Sequence, residues 1–285
     1  MEGPLLGHLN ELRDDAARMS KEHGELRSSS EYALELSRLR KTIHDLIQTL
    51  RLCSLATSRW SHFSENYLLP RHLDDIVEAA LSAQLSIENG ALNPGRRELR
   101  FMLEVIVNIA YVDEFRAEDT FEERISYYRG KAVKKSNVDH IFELPLRLLG
   151  DHRELFAKSV QSAWVRASNY VHLTKRRIDE KLRLRDECVV LGMETIEMLK
   201  DIVSEVHEAC TIVILLTFET IGPSFTGDLL VDNLDSNDSW IFHLSKYMAI
   251  VDSHFDYKHE RKSRLNEHIA RRNARIKFPV TPIDA

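Results

Sequence analysis

"ALNPGRRELRFMLEVIVNIAYVDEF", residues 91–115, is the stretch on which the fold turns. Asn93 is a natural helix N-cap, and Pro94 fits the first helical position, where its missing N–H leaves nothing unsatisfied. From there Phe101, Val105, Asn108 and Val112 recur at steps of three and four, with Met102, Ile106 and Ile109 beside them. A helix apolar around so much of its circumference needs cover on most sides. The spacing predicts a central helix in an all-α protein.

The same period extends outward in both directions. Residues 5–26 place Leu5, Leu9, Leu12, Ala16, Met19 and Leu26 on one stripe. Ser28 and Glu31 have capping-box spacing at the start of a second helix. That helix carries Leu36, Leu39, Ile43, Leu46, Leu50 and Cys53 in alternating steps of three and four, a coiled-coil-like seam of about two and a half heptads. These two helices are expected to form an antiparallel hairpin against the body or a second subunit. A loop with aromatic anchors follows at 58–70, then a helix from about His72 to Glu88, stopped by Asn89 and Gly90.

Beyond the central helix, "TFEE" (120–123) offers another capping box, and Pro145 and Gly150 break the chain into short helices. Two long helical segments are expected at 151–174 and 183–221, the second ended by Gly222 and Pro223. The polar linker "VDNLDSNDSW" (231–240), a short amphipathic helix and a charged terminal helix complete the chain. The expectation is a helical bundle in three parts. These are an N-terminal hairpin at 1–70 with coiled-coil or dimerisation character, a core at 71–223, and a C-terminal extension at 224–285.

Composition narrows the function. The chain has 285 residues, 43% hydrophobic and 29% charged, which suits a soluble globular protein with a sizeable core. Its net charge of −6 argues against a globally basic nucleic-acid binder but leaves room for local patches. Cys53, Cys188 and Cys210 are unpaired by spacing and suit a reducing compartment. The most apolar run, "ACTIVILLTF" (209–218), is half of what a bilayer requires, and the start of the chain is too acidic for a signal peptide. The expected setting is the cytoplasm, with no membrane. His207 and Cys210 share a helical face, but no further ligand pair is spaced to complete a metal site, so both read as core residues. Walker, dinucleotide and serine-nucleophile motifs are missing; no metal or cofactor is expected.

"SAWVRASNYVHLTKRR" (162–177) carries the candidate chemistry. Arg166 and His172 stand six positions apart with Ser168, Asn169 and Tyr170 between them. Five Arg–His pairs in the chain share this range of spacings (Arg18/His23, Arg38/His44, Arg147/His152, Arg166/His172 and Arg261/His268), so spacing alone selects none. If the helix runs on, Arg166, Asn169 and His172 share an arc of about 120° and Ser168 sits one turn before His172. Helix-end Arg and His residues are ordinarily solvated or capping groups.

"ELRFMLEVIVNIAYVDEF", then "SNYVHLT", then a long final helix resembles the HEPN superfamily, closest to its abortive-infection-like and uncharacterised bacterial branches. The resemblance covers about residues 71–223. Its pattern of Arg, four to six residues, then His falls on Arg166 and His172. Many members carry a polar residue directly after the Arg; this chain has Ala167 there and Asn169 two positions later.

The resemblance implies a metal-independent endoribonuclease in a defence or toxin role, working as a dimer on RNA. His172 would move the proton of a ribose 2′-hydroxyl, Arg166 would hold the phosphate, and Asn169 would position one of them. The same fold without the chemistry would be a module that binds RNA, a partner protein or an inhibitor.

Other residues have two readings each. Glu104 on the central helix either orients Arg166 or Arg100, or makes a structural ion pair. Arg97 and Arg100 either contact RNA or form a solvated face. Lys175, Arg176 and Arg177 open "KRRIDEKLRLRDE" (175–187), which either tracks a phosphate backbone or is a salt-bridged surface. Residues 258–277 hold eight Lys or Arg against two Glu, either a binding arm or a plain charged helix.

Overall fold

The computed structural model describes residues 4–132, 138–170 and 192–278. Eleven α-helices and no strands are found among them, so the fold is all-α. They are α1 (Pro4–Arg27), α2 (Ser30–Thr57), α3 (Ser61–Asn66), α4 (Leu69–Glu88), α5 (Leu92–Phe115), α6 (Phe121–Tyr127), α7 (Arg153–Ser168), α8 (Ile196–Asp228), α9 (Lys246–Ser253), α10 (His259–Lys262) and α11 (Leu265–Arg275).

The central helix is α5, as its pattern predicts. It packs along α4 and also touches α7 and α8, and Met102, Leu103, Ile106, Val107, Ile109 and Val112 are essentially inaccessible. Two details differ. The helix starts at Leu92 with no side-chain cap, so Asn93 lies inside the first turn, where its Oδ1 accepts from Arg96 Nη1 at 3.3 Å. Phe101, expected on the buried face, is 43% exposed.

The seam of α2 is used within the chain. Leu39, Ile43, Leu46, Leu50 and Cys53 are at most 2% exposed, and α2 lies along α8. Its N-cap is Ser29, which accepts from the Tyr32 N–H, while Ser28 Oγ bonds back to the Gly24 carbonyl. The first helix, by contrast, is largely exposed from Arg13 to Glu25.

The C-terminal part closes on α2. Trp240 Nε1 donates to Thr49 Oγ1 at 3.0 Å, and the Ile241 N–H donates to Asp45 Oδ2 at 2.8 Å. One hydrophobic core therefore runs from Tyr32 to Phe255, across the boundaries expected at 70 and 223.

Helix ends follow the local chemistry. Gly90 stops α4 at φ 73°, and Thr120 and Glu123 form a capping box on α6. The N-terminus of α4 is capped from a distance: Asp113 accepts from the N–H groups of Leu68 and Leu69 at 2.9 and 3.0 Å. That carboxylate is fully buried and also binds the equally buried Arg124 at 2.7 Å, whose guanidinium lies over the Tyr67 ring. The expected aromatic anchors form a cluster in which Trp60 stacks on Phe63 and Phe225.

Gly222 (φ 84°, ψ 166°) interrupts α8, and Pro223 opens the piece that continues to Asp228. Helical chain from Ile196 to Leu234 is long and apolar enough to cross a membrane; 67% of its most apolar window is buried by the rest of the protein, which accounts for its composition.

Candidate functional site

Arg166 lies in the last turn of α7, facing α8. Its Nη1 donates to Ser162 Oγ one turn back at 2.9 Å, and its Nη2 makes a close ion pair with Glu208. Both members are partly open, at 36% and 37% exposure. Burial pushes the Glu208 carboxyl above its ordinary range, Arg166 opposes this, and neighbouring Glu205 adds to it.

Three arginines of α5 surround the same helix end. Arg96, itself buried, donates Nε and Nη2 to the two oxygens of Glu205 at 2.7 and 3.2 Å, and its guanidinium lies 4.3 Å from the Tyr170 ring centre. Arg97 is exposed and reaches the Tyr170 carbonyl at 3.5 Å. Arg100 donates to Glu104 at 2.7 Å and lies over the Trp164 ring.

Glu104 also accepts from Trp164 Nε1 at 2.9 Å. Of the two roles expected for it, Glu104 holds Arg100 and the indole; Arg166 has Glu208 instead. Glu104 Oε1 takes both bonds, and the one from Trp164 braces α5 against α7.

Helix α7 ends at Ser168, and Asn169 is its C-cap, with its N–H on the Val165 carbonyl; the arc expected for Asn169 with His172 reaches beyond the described residues. Ser168 Oγ is buried with no hydrogen-bond partner among the described residues. His172, Lys175, Arg176, Arg177 and Cys188 lie outside the described residues, so the meeting of Arg166 with His172 is not among the contacts seen.

Sequence reasoning missed Arg96, Glu205 and Glu208. A signal was present: Glu205 and Glu208, three apart, interrupt the apolar helix on one face. Carboxylates there need cationic partners from another helix.

A second charged cluster joins the end segments. Asp235, Asp252 and His268 bring ligand atoms within 4.8 Å of one another, a geometry that suits a metal ion. Guanidinium groups take that place. Arg261, 4% exposed, binds both oxygens of Asp235 at 2.8 and 2.7 Å and Asp252 Oδ1 at 2.6 Å. Arg272 binds Asp252 at 2.9 Å and both oxygens of Asp256 at 2.8 and 2.7 Å. Asp252 is held well below the usual carboxylate range by its bonds to His268, Arg261 and Arg272, although burial pushes the other way. Arg275 and Lys258 are paired with Asp238 and Asp228. Much of the basic tail is thus neutralised by the acidic stretch before it, and Lys262, Arg264 and Lys277 remain exposed.

His207 and Cys210 are core residues, as expected. The imidazole stacks on Phe278 and Phe242, and burial lowers its pKa to about 4. Burial pushes the Cys210 thiol upward.

Comparison with protein-family models, curated proteins and solved structures finds no match for this chain.

Proposed function

We propose that the protein is a metal-independent endoribonuclease of HEPN type, with Arg166 as the phosphate-binding residue and His172 as the proton carrier. The observation that carries this reading is the position of Arg166. Its guanidinium leaves the end of α7 partly open to solvent, beside Arg97 and the Arg96–Tyr170 pair. A phosphodiester approaching this helix end meets guanidinium groups from two helices, whose forked donors suit its two non-bridging oxygens. Arg166 would stabilise charge on the phosphate oxygens as the ribose 2′-oxygen attacks phosphorus and the P–O5′ bond breaks. This leaves a 2′,3′-cyclic phosphate and a 5′-hydroxyl whose proton comes from the imidazolium formed on His172 or from solvent. His172 would accept the 2′-hydroxyl proton, and a neutral imidazole near its reference pKa of about 6.5 can do so at physiological pH. The defence or toxin role that the sequence resemblance implies belongs to this same reading.

One observation favours the non-catalytic alternative, a module that binds RNA or a partner protein. Arg96, Arg100 and Arg166 each hold a carboxylate, so a phosphate must displace Glu208 to reach Arg166 with both nitrogens. The test is cleavage of a mixed RNA pool in EDTA by the full chain, beside Arg166→Ala and His172→Ala. Loss of cleavage in both variants, with cyclic-phosphate ends from the parent, is the expected result. RNA retention without cleavage by the folded parent selects the binding module.

A further inference from the structure

The C-terminal half of α8, the end of α5 and the loop before α7 border a cavity of about 200 Å³, open to solvent on one side, that Arg166 and Asn169 do not line. Ala110, Ala117, Leu144 and Pro145 give it apolar walls, and Asp113, Glu114 and Glu219 bring carboxylates to it. Two of the three are neutralised. Asp113 is sealed by Arg124 and two backbone N–H groups. Glu114 takes both Nη atoms of Arg147, at 2.9 and 2.5 Å.

Glu219 differs. Its hydrogen bonding is to backbone, with Oε1 accepting from the Leu148 N–H at 2.8 Å, and Arg147 directs its guanidinium at Glu114. Burial and the nearby Glu114 carboxylate push Glu219 up to about 7, against the pull of the Leu148 and Arg147 N–H groups and the Arg147 charge. The wall beside it is strained. Leu146 sits at φ 43°, ψ 58°, a left-handed conformation that a side chain of its size rarely takes and that gathers at ligand sites.

We propose that this cavity binds a small organic cation, an alkylammonium, with its charged end on Glu219 and its chain along Ala110, Ala117 and Leu144. An anion would face Glu219 and would have to take Arg147 from Glu114. A bare metal ion is a poorer occupant: among the described residues, three ligand atoms converge only at Asp235, Asp252 and His268. The volume suits an ammonium head with a short alkyl chain, since a dry cavity of about 150 Å³ holds benzene. Binding would hold Glu219 ionised, so near neutral pH it releases protons.

The test is calorimetry on the full chain with n-butylammonium chloride, in two buffers of different ionisation enthalpy. 1-Butanol and magnesium chloride serve as comparators. The expected result is saturable butylammonium binding with proton release at neutral pH, weakened by at least about tenfold in Glu219→Gln. The glutamine can still accept from Leu148, so the variant keeps its local fold. Ala117→Leu, which fills the cavity and leaves Glu219 in place, should weaken binding as much. Three results would overturn the proposal: no binding by the folded parent, equal binding of 1-butanol by parent and Glu219→Gln, or displacement of butylammonium by magnesium.

Discussion

Two arginine clusters of similar composition behave differently. Around Arg261 and Arg272, guanidinium groups are nearly inaccessible, and three aspartates accept most of their hydrogen bonds. Around Arg96 and Arg166, one pair is buried and two-pronged, the Arg166–Glu208 pair is single and partly open, and both lie among aromatic rings. The basic count is higher in the tail, yet most of its guanidinium groups are already paired with aspartates of the same chain. What separates a structural cluster from a candidate binding site is how many of its hydrogen bonds are already made, and how dry they are.

The sharpest test of that contrast is Arg261→Ala. It takes from Asp235 its two-pronged partner and from Asp252 one of three, in a largely dry place, and should cost about 3 kcal/mol, measured by urea unfolding. A loss below about 1 kcal/mol would show that the network is no more structural than a surface pair.

Acid should release the tail in order. The folded pKa of His207 lies near 4, below its unfolded value of about 6.5. Its neutral burial therefore adds stability above the unfolded value, lost as pH falls from about 6.5 to about 4. The full effect is about 3 kcal/mol. Asp252, also depressed, loses its contribution only at lower pH, below the ordinary carboxylate range. His207→Phe should flatten the first part of a melting-temperature profile and leave the second unchanged.

At the other cluster, stability should move little and RNA binding should move more. Glu208→Gln removes a partly exposed pair, so its stability cost stays within about 1 kcal/mol. It frees Arg166 for phosphate, which should raise RNA affinity and steepen the salt dependence by about one released ion. Unchanged affinity and slope would place RNA elsewhere. The smallest effect is expected for Arg97→Ala: stability within about 0.5 kcal/mol, with a uniform weakening of RNA binding across sequences.

Much of the fold was legible because helical period, capping and glycine stops are local. The apolar positions of α5, the capping box at Thr120 and the stop at Gly90 all follow from residues within one or two turns. The site was legible only in part. Arg166 and Glu104 were visible as polar residues on helices, but which carboxylate meets which arginine depends on helix packing. Glu104 went to Arg100 and Trp164, and Arg166 to Glu208, 42 positions away.

The tail makes the same point in reverse. Its +6 excess reads as an arm for an acidic partner, and the acidic partner is largely the chain's own segment from Asp228 to Asp256. Sequence by itself determined that this protein is built of helices and where most of them begin and end, because those choices are made by neighbours in the chain. Only the tertiary structure decided that the α2 seam faces α8, that the basic tail is folded down, and that Glu219 stands at a cavity where the neighbouring Arg147 guanidinium is bonded to Glu114. Those outcomes depend on burial and on charges brought together across long stretches of chain, and local pattern carries no record of either.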